Sequence, residues 1–156
     1  MISLIVHAVL GLATIWWIVA SNRAVFAKPA GDQLFSPMEL VYYLVGIASI
    51  VLGWYFNIRF VNEYTHGSHN PIWGPGSWTQ YIQLMFTNPA AGSASQDYII
   101  INVVLLPLFT VVDGYRRGLR RPWLYFVSSL FTSCAFAYAF YFATMERAHR
   151  HAAASS

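Results

Sequence analysis

Residues 97–145 constrain this chain most. An uncharged run from Tyr98 to Val112 is followed by Asp113-Gly114-Tyr115-Arg116-Arg117-Gly118-Leu119-Arg120-Arg121-Pro122, and then by a second uncharged run from Trp123 to Met145. Two apolar stretches closed by an arginine-rich loop read as a transmembrane hairpin, because each arginine strongly resists crossing a bilayer. Composition agrees. Only 10% of the 156 residues are charged and 57% are hydrophobic, whereas a soluble domain carries roughly 25% charged residues. Lipid is then the solvent, and only helices or closed barrels satisfy their backbone there.

Two further apolar stretches precede the hairpin. Ile2 to Ala20 is uncharged and long enough to cross a hydrocarbon layer about 30 Å thick. Ala24-Val25-Phe26-Ala27 resembles a signal-peptide cleavage site, but no Lys or Arg precedes the run, and a retained helix is expected. Leu40 to Phe60 is the second span. Ser36-Pro37-Met38-Glu39 opens it as a capping box with proline at the first helical position. The predicted fold is all-α: a four-helix transmembrane bundle in one domain, with spans at about 2–20, 38–60, 97–114 and 122–145. Between the second and third spans, Trp78, Tyr81, Ile82 and Met85 share one helical face, which predicts a short interfacial helix at about 77–87.

The third span is short. Tyr98 to Val112 covers about 22 Å as a helix, so the helix extends past Asp97 or Asp113. Asp97 is a candidate cap, and Pro107 predicts a kink. In the fourth span, Ser129, Ser133 and Ala137 recur every four residues, as do Ala135, Ala139 and Ala143. Gly46, Ser49 and Gly53 form a comparable face on the second span. Small residues in such stripes let helices approach closely. The single cysteine, Cys134, lies in an apolar run and is expected to be buried.

Positive residues of short loops favour the cytoplasm. With four spans, Arg116, Arg117, Arg120 and Arg121 and the Arg23/Lys28 loop lie inside. Both termini, residues 61–97 and Arg59, Arg147 and Arg150 lie outside. The expected location is the cell membrane. The arginine loop is also placed to meet anionic lipid headgroups. It is a topology signal between two spans, which argues against a nucleic-acid partner.

The hairpin and its flanks carry a recognisable pattern. It comprises Asn88-Pro89-Ala90, Asp97 before an apolar run, Asp113-Gly114, Arg116-Arg117-Gly118-Leu119-Arg120-Arg121, Trp123-Leu124 and the charged end Glu146-Arg147. Over about residues 41–149 this resembles the bacterial membrane family catalogued as domain of unknown function 2834 (DUF2834). The resemblance implies fold and topology and transfers no catalytic residue.

Candidate functional residues are few. No nucleophile elbow, phosphate-binding glycine loop or zinc-protease motif is present, and no catalytic residue is assigned. Glu63 and Asp97, near the outer boundary, are the candidates for acid–base work on a lipid. Arg59, Asn57 and Asn102 are the candidate ligand contacts. Arg59 can instead simply pair with Glu63 four residues on, and Asn102 can bond between helices. No metal centre is expected. His66 and His69, three apart, come closest, with His149 and His151 approaching from the far end of the chain. His7 is a conceivable haem ligand lacking a partner histidine.

The expected function is therefore a non-catalytic subunit or accessory factor of a membrane complex, with the bilayer and either another membrane protein or a second copy as partners. The alternative is a lipid- or isoprenoid-binding enzyme or carrier with a pocket near Glu63 and Asp97. A transporter, which would have to oligomerise, is third.

Overall fold

The structure is a computed structural model describing residues 2–29, 33–65, 70 and 72–154, with side chains from Leu4 onward. Every regular element among the described residues is helical. They are α1 (Ile2–Ser21), α2 (Arg23–Phe26), α3 (Pro37–Tyr64), α4 (Trp78–Leu84), α5 (Pro89–Ile99), a π-helical stretch (Ile100–Leu105), α6 (Leu106–Arg116), α7 (Trp123–Phe131) and α8 (Cys134–Ala154). Three stretches are long and apolar enough to cross a membrane: Leu4–Ser21, Pro37–Tyr64 and Pro89–Arg116. That property suggests a membrane protein.

The start of α3 follows the sequence closely. Ser36 Oγ accepts from the Glu39 amide at 3.1 Å, the Glu39 carboxylate accepts from the Ser36 amide at 2.6 Å, and Pro37 stands in the first turn. The third long helix begins earlier than expected. Asn88, not Asp97, is its cap, with its side chain accepting from the Ala91 amide at 2.9 Å and Pro89 following. Asp97 is an exposed residue well inside the helix. The kink expected at Pro107 takes the form of a wide turn. The Leu106 amide bonds back to the Ile101 carbonyl, five residues away. Proline would clash with the carbonyl four residues before it, and one wider turn relieves that clash.

The expected fourth span does not form one helix. After Phe131 the chain reverses at Thr132–Ser133 and returns as α8. The Tyr125 hydroxyl donates to Thr144 Oγ1 at 2.8 Å, whereas a straight helix would hold those residues about 28 Å apart. Hydroxyls make the break tolerable in apolar surroundings. Thr132 Oγ1 donates to the Ser128 carbonyl at 2.7 Å, Ser129 Oγ to the Phe126 carbonyl at 2.7 Å, and Ser133 Oγ caps α8 by accepting from the Phe136 amide at 3.0 Å. Ser133 serves an amide that a helix start leaves unpaired, while Thr132 and Ser129 satisfy their own hydroxyl protons on α7 carbonyls, Ser128's being one that already accepts the Thr132 amide at 2.9 Å.

Both arms of this hairpin are clasped. On one side α1 runs along α7, with Trp17 against Trp123 and His7 against Phe131, each pair 5.9 Å between ring centroids. On the other, α3 runs antiparallel to α8. A Cβ on Gly46 would lie 3.4 Å from that of Ala139, and Ser49 Oγ bonds Ser133 Oγ at 2.7 Å. The α5–α6 helix closes a third side, where Tyr141 donates to Asp113 at 2.7 Å and Phe109 meets the Tyr141 ring at 5.5 Å. The core is centred on Ile18, Leu124, Tyr125, Phe140 and Tyr141, with Leu106, Cys134 and Ala137 forming a second cluster. Cys134 is buried, as expected.

The reversal moves the C terminus. The polar end of α8 lies against the start of α3 and the α1–α3 connection, where His151 Nε2 is 3.1 Å from the Val25 and Ala27 carbonyls. The arginine loop is at this same end. Asn22 clamps it, donating to the Arg120 carbonyl at 3.0 Å and accepting from its amide at 2.8 Å. The C terminus and the arginine loop thus share one end of the molecule, contrary to the four-span expectation.

A disulfide separates the two arrangements. In a Cys134→Ser background, Gly46→Cys with Ala139→Cys should cross-link within the chain under mild oxidation, since the Cβ separation suits a disulfide. A continuous fourth span would offset these positions in depth by about 14 Å, and gel mobility after oxidation would then show no intramolecular product.

Candidate functional site

Two features beyond the helix packing carry polar chemistry: a buried ion cluster at the arginine-rich end and a cavity at the other. The cluster forms around Glu39, which is fully buried, as are Arg147 (2% exposed) and Arg150 (9%). Arg150 bonds both Glu39 Oε2 and the Gln33 carbonyl. Arg147 Nη1 lies 3.2 Å from Glu39 Oε1 as an ion pair, and its Nη2 donates to the Leu34 carbonyl at 2.7 Å. Its guanidinium also sits 5.1 Å from the Phe35 ring centroid. Glu146 is in reach, accepting from Ser36 Oγ at 3.4 Å. Glu39 therefore pairs with both arginines, which also donate to the Leu34 and Gln33 carbonyls, and Glu146 bonds Ser36 beside them. Arg147 and Arg150 are one helical turn apart and share a face, the signal by which the sequence marks them as a pair.

The cavity measures about 520 Å³, within the usual size range of small-molecule sites. Its floor is the hairpin tip, Ser129 to Ser133. One wall is the first half of α1 with Leu4 and His7, and a second is the last turns of α3 with Trp54, Asn57, Phe60 and Val61. The cover comes from the α3–α5 connection and α4, through Ile72, Gly76, Ser77, Trp78 and Tyr81, and Tyr98 of α5 completes it.

Local sequence explains the cover. Ser77 caps α4 by accepting from the Gln80 amide at 3.3 Å, and the Gln80 side chain accepts from the Gly76 amide at 2.6 Å. Gly76 has φ +71°, and a Cβ there would collide with the Thr65 side chain. Tyr81 then packs edge-on to Phe60 at 5.4 Å, holding α4 against α3, and Ser95 Oγ donates to the Met85 carbonyl at 2.9 Å, holding it against α5.

Of the residues singled out in the sequence, Asn57 and His7 line the cavity, and Asn57 makes no hydrogen bond among the described residues. Asn102 lies behind the wall. It is 7% exposed, donates to the Tyr98 hydroxyl at 3.3 Å and leaves Oδ1 without a partner among the described residues. Arg59 donates to Glu63 at 2.7 and 3.0 Å on the exposed surface, and neither residue lines the cavity. Asp97 is likewise exposed and outside the lining. His66 and His69 lie outside the described residues. His151 belongs to the arginine-rich end, away from the α3 terminus that precedes them. Among the described residues no group of three or more His, Cys, Asp or Glu stands in metal-binding proximity. In the loop, Arg117 pairs with Asp113 at 2.8 Å and Arg121 donates to Ser21 at 3.3 Å while facing Trp17, whereas Arg116 is exposed.

The sequence reading missed the aromatic wall and the hydroxylated floor. The signal for the floor was present in Ser128-Ser129 and Thr132-Ser133, a concentration of hydroxyls in the middle of an apolar run.

A family model described as protein of unknown function DUF2834 matches residues 41–147. The chain belongs to the DUF2834 family. The matched region runs from the first turns of α3 to Arg147, leaving α1 and α2 outside it. No curated protein and no solved structure matches the chain.

Two glycines beside the cavity cover separate strain from collision. Gly76→Ala combines a left-handed backbone, which costs a side chain about 1–2 kcal/mol, with the clash on Thr65. Gly74→Ala meets the strain alone (φ +87°, open space). Thermal unfolding in detergent should show a clearly larger drop for Gly76→Ala; equal drops would contradict the close packing of Gly76 on Thr65.

Proposed function

We propose that this DUF2834 protein is a multi-pass membrane protein that binds an uncharged amphiphile in the cavity above its hairpin. The observation that carries this reading is the composition of the cavity: aromatic walls, a hydroxyl-bearing floor and no Asp, Glu, Lys or Arg among the described lining residues. A site of this kind suits a molecule drawn from the bilayer. The exterior is consistent with lipid contact, since Leu44, Val51, Leu52 and Phe56 of α3 are each more than 60% exposed.

In the proposed orientation the arginine-rich end faces the cytoplasm. Arg23, Lys28, the four loop arginines, Arg147 and Arg150 are all of the chain's nine Lys and Arg residues except Arg59. The asymmetry is steeper than four spans would give, and it obeys the preference of basic residues for the cytoplasm. The C terminus is then cytoplasmic, and α7–α8 is a re-entrant hairpin entering from that side. Such non-helical turns at depth are tolerated where protein covers them. The cavity occupies the outer half of the membrane, with α4 near the outer interface.

The reading as an accessory subunit of a membrane complex draws on less. Of its small-residue stripes, Gly46, Ser49 and Ser133 are engaged within the chain, and Gly53 and Ala135 face outward. A lipid-active enzyme centred on Glu63 and Asp97 would need those exposed groups to reach a substrate outside the cavity.

Native mass spectrometry of gently extracted protein tests the proposal. A bound neutral amphiphile is expected on the wild type, and Asn57→Phe, which fills the cavity from the α3 wall, should release it without changing the helical circular-dichroism signal. Retention by Asn57→Phe would contradict the site. For the orientation, a reporter fused after Ser156 should be active only in its cytoplasmic form; activity of a periplasmic-type reporter there would overturn it.

A further inference from the structure

We infer that the cavity recognises a flat, ring-bearing head group that both donates and accepts hydrogen bonds while staying neutral: a quinol or phenolic lipid. This rests on the amphiphile-binding reading and specifies its ligand. Three observations combine.

The walls are built from rings. Trp54, Phe60, Trp78, Tyr81, Tyr98 and Phe131 all border the space. Aromatic faces and edges attract another ring in offset or edge-on contact, a preference a linear acyl chain does not satisfy.

The hydrogen-bonding capacity of the floor is one-sided. Thr132 and Ser129 spend their protons on the Ser128 and Phe126 carbonyls, each at 2.7 Å. Ser133 is shared between Ser49 Oγ and the Phe136 amide. The lone pairs of Thr132 and Ser129 therefore remain as acceptors, and a ligand meeting this floor must bring a donor. The opposite demand comes from the wall. The Asn57 carboxamide makes no hydrogen bond among the described residues and presents two N–H donors and a carbonyl. A ring hydroxyl satisfies both, donating to the floor and accepting from Asn57.

Charge is disfavoured. No acid, lysine or arginine lines the cavity among the described residues, and the lining histidine, His7, packs edge-on against Phe131, so a phosphate, carboxylate or ammonium head would be desolvated without a fixed counter-charge. A quinone, which has acceptors only, would satisfy Asn57 and leave the floor unmet.

Calorimetric titration of the full chain in mild detergent, with three probes, tests this: decyl-hydroquinone kept reduced, the corresponding decyl-quinone, and a linear monoacylglycerol of matched length. Saturable binding is expected, with the hydroquinone about fivefold to tenfold tighter than the quinone, the value of one unmet hydrogen bond, and tighter still than the monoacylglycerol. Asn57→Leu should weaken the hydroquinone by a similar factor. The ranking of the three probes on the unaltered chain stands even if that variant fails to fold. Equal or tighter monoacylglycerol binding overturns the ring assignment, and so does quinone binding as tight as hydroquinone binding. If native mass spectrometry finds another neutral amphiphile retained while the hydroquinone fails to bind, this inference falls and the cavity reading stands. If nothing is retained and no probe binds, both fall.

Discussion

The arrangement depends on one buried carboxylate. Glu39 meets the helix start it caps and two arginines from the far end of the chain, and none of the three has more than 9% exposure. A lone buried charge is costly, and removing one partner of a buried pair typically costs about 3–5 kcal/mol. Glu39, Arg147 and Arg150 therefore hold one another in place. That requirement brings the polar end of α8 to the first turn of α3 and sets the two helices antiparallel. Once α8 returns to that end, the chain must turn at Thr132–Ser133, partway along α1 and α3. The half of the molecule beyond the turn has no fourth helix to fill it, and the cavity is the space left there.

Much of this could be read from the residues. The capping box at Ser36 and Glu39, the apolar stretches, the helix after Ser77 and the family pattern all rest on local chemistry, and local chemistry is visible in a sequence. The fourth span was misread because its apolar length fits a crossing as well as a hairpin. Twenty-three uncharged residues carry no direct mark of direction. Ser129 and Ser133 were read as part of a contact stripe, and in the structure they lie, with Ser128 and Thr132, where one helix ends and the next starts. Placing Arg147 and Arg150 at the end opposite the arginine loop followed from the same reading. Asp97 looked like a cap because it precedes an apolar run, but Asn88-Pro89 starts the helix earlier.

The candidate site was less legible for a different reason. Asn57 was among the polar residues noted, but the wall around it draws on α1, α3, α4, α5 and the hairpin tip. Nothing local in the sequence predicts that Leu4, Trp78 and Ser133 border one space. Glu63 and Asp97 stood out because charge is rare in this chain, and both lie on the exposed surface. The features that matter for the proposed ligand are uncharged: rings in excess, and hydroxyls whose protons the backbone has already taken.

The reversal of the last helix is the central claim, because the buried cluster requires it and the cavity follows from it. A pulsed electron-spin distance between labels at Ala24 and Ala152, in a Cys134→Ser background, measures it directly. Both positions are exposed, and His151 lies 3.1 Å from the Val25 and Ala27 carbonyls. The account predicts one population within about 25 Å, allowing for the label tethers and one residue of chain on either side. A continuous fourth helix from Pro122 would carry Ala152 about 45 Å away, and a distance beyond about 40 Å would contradict the account.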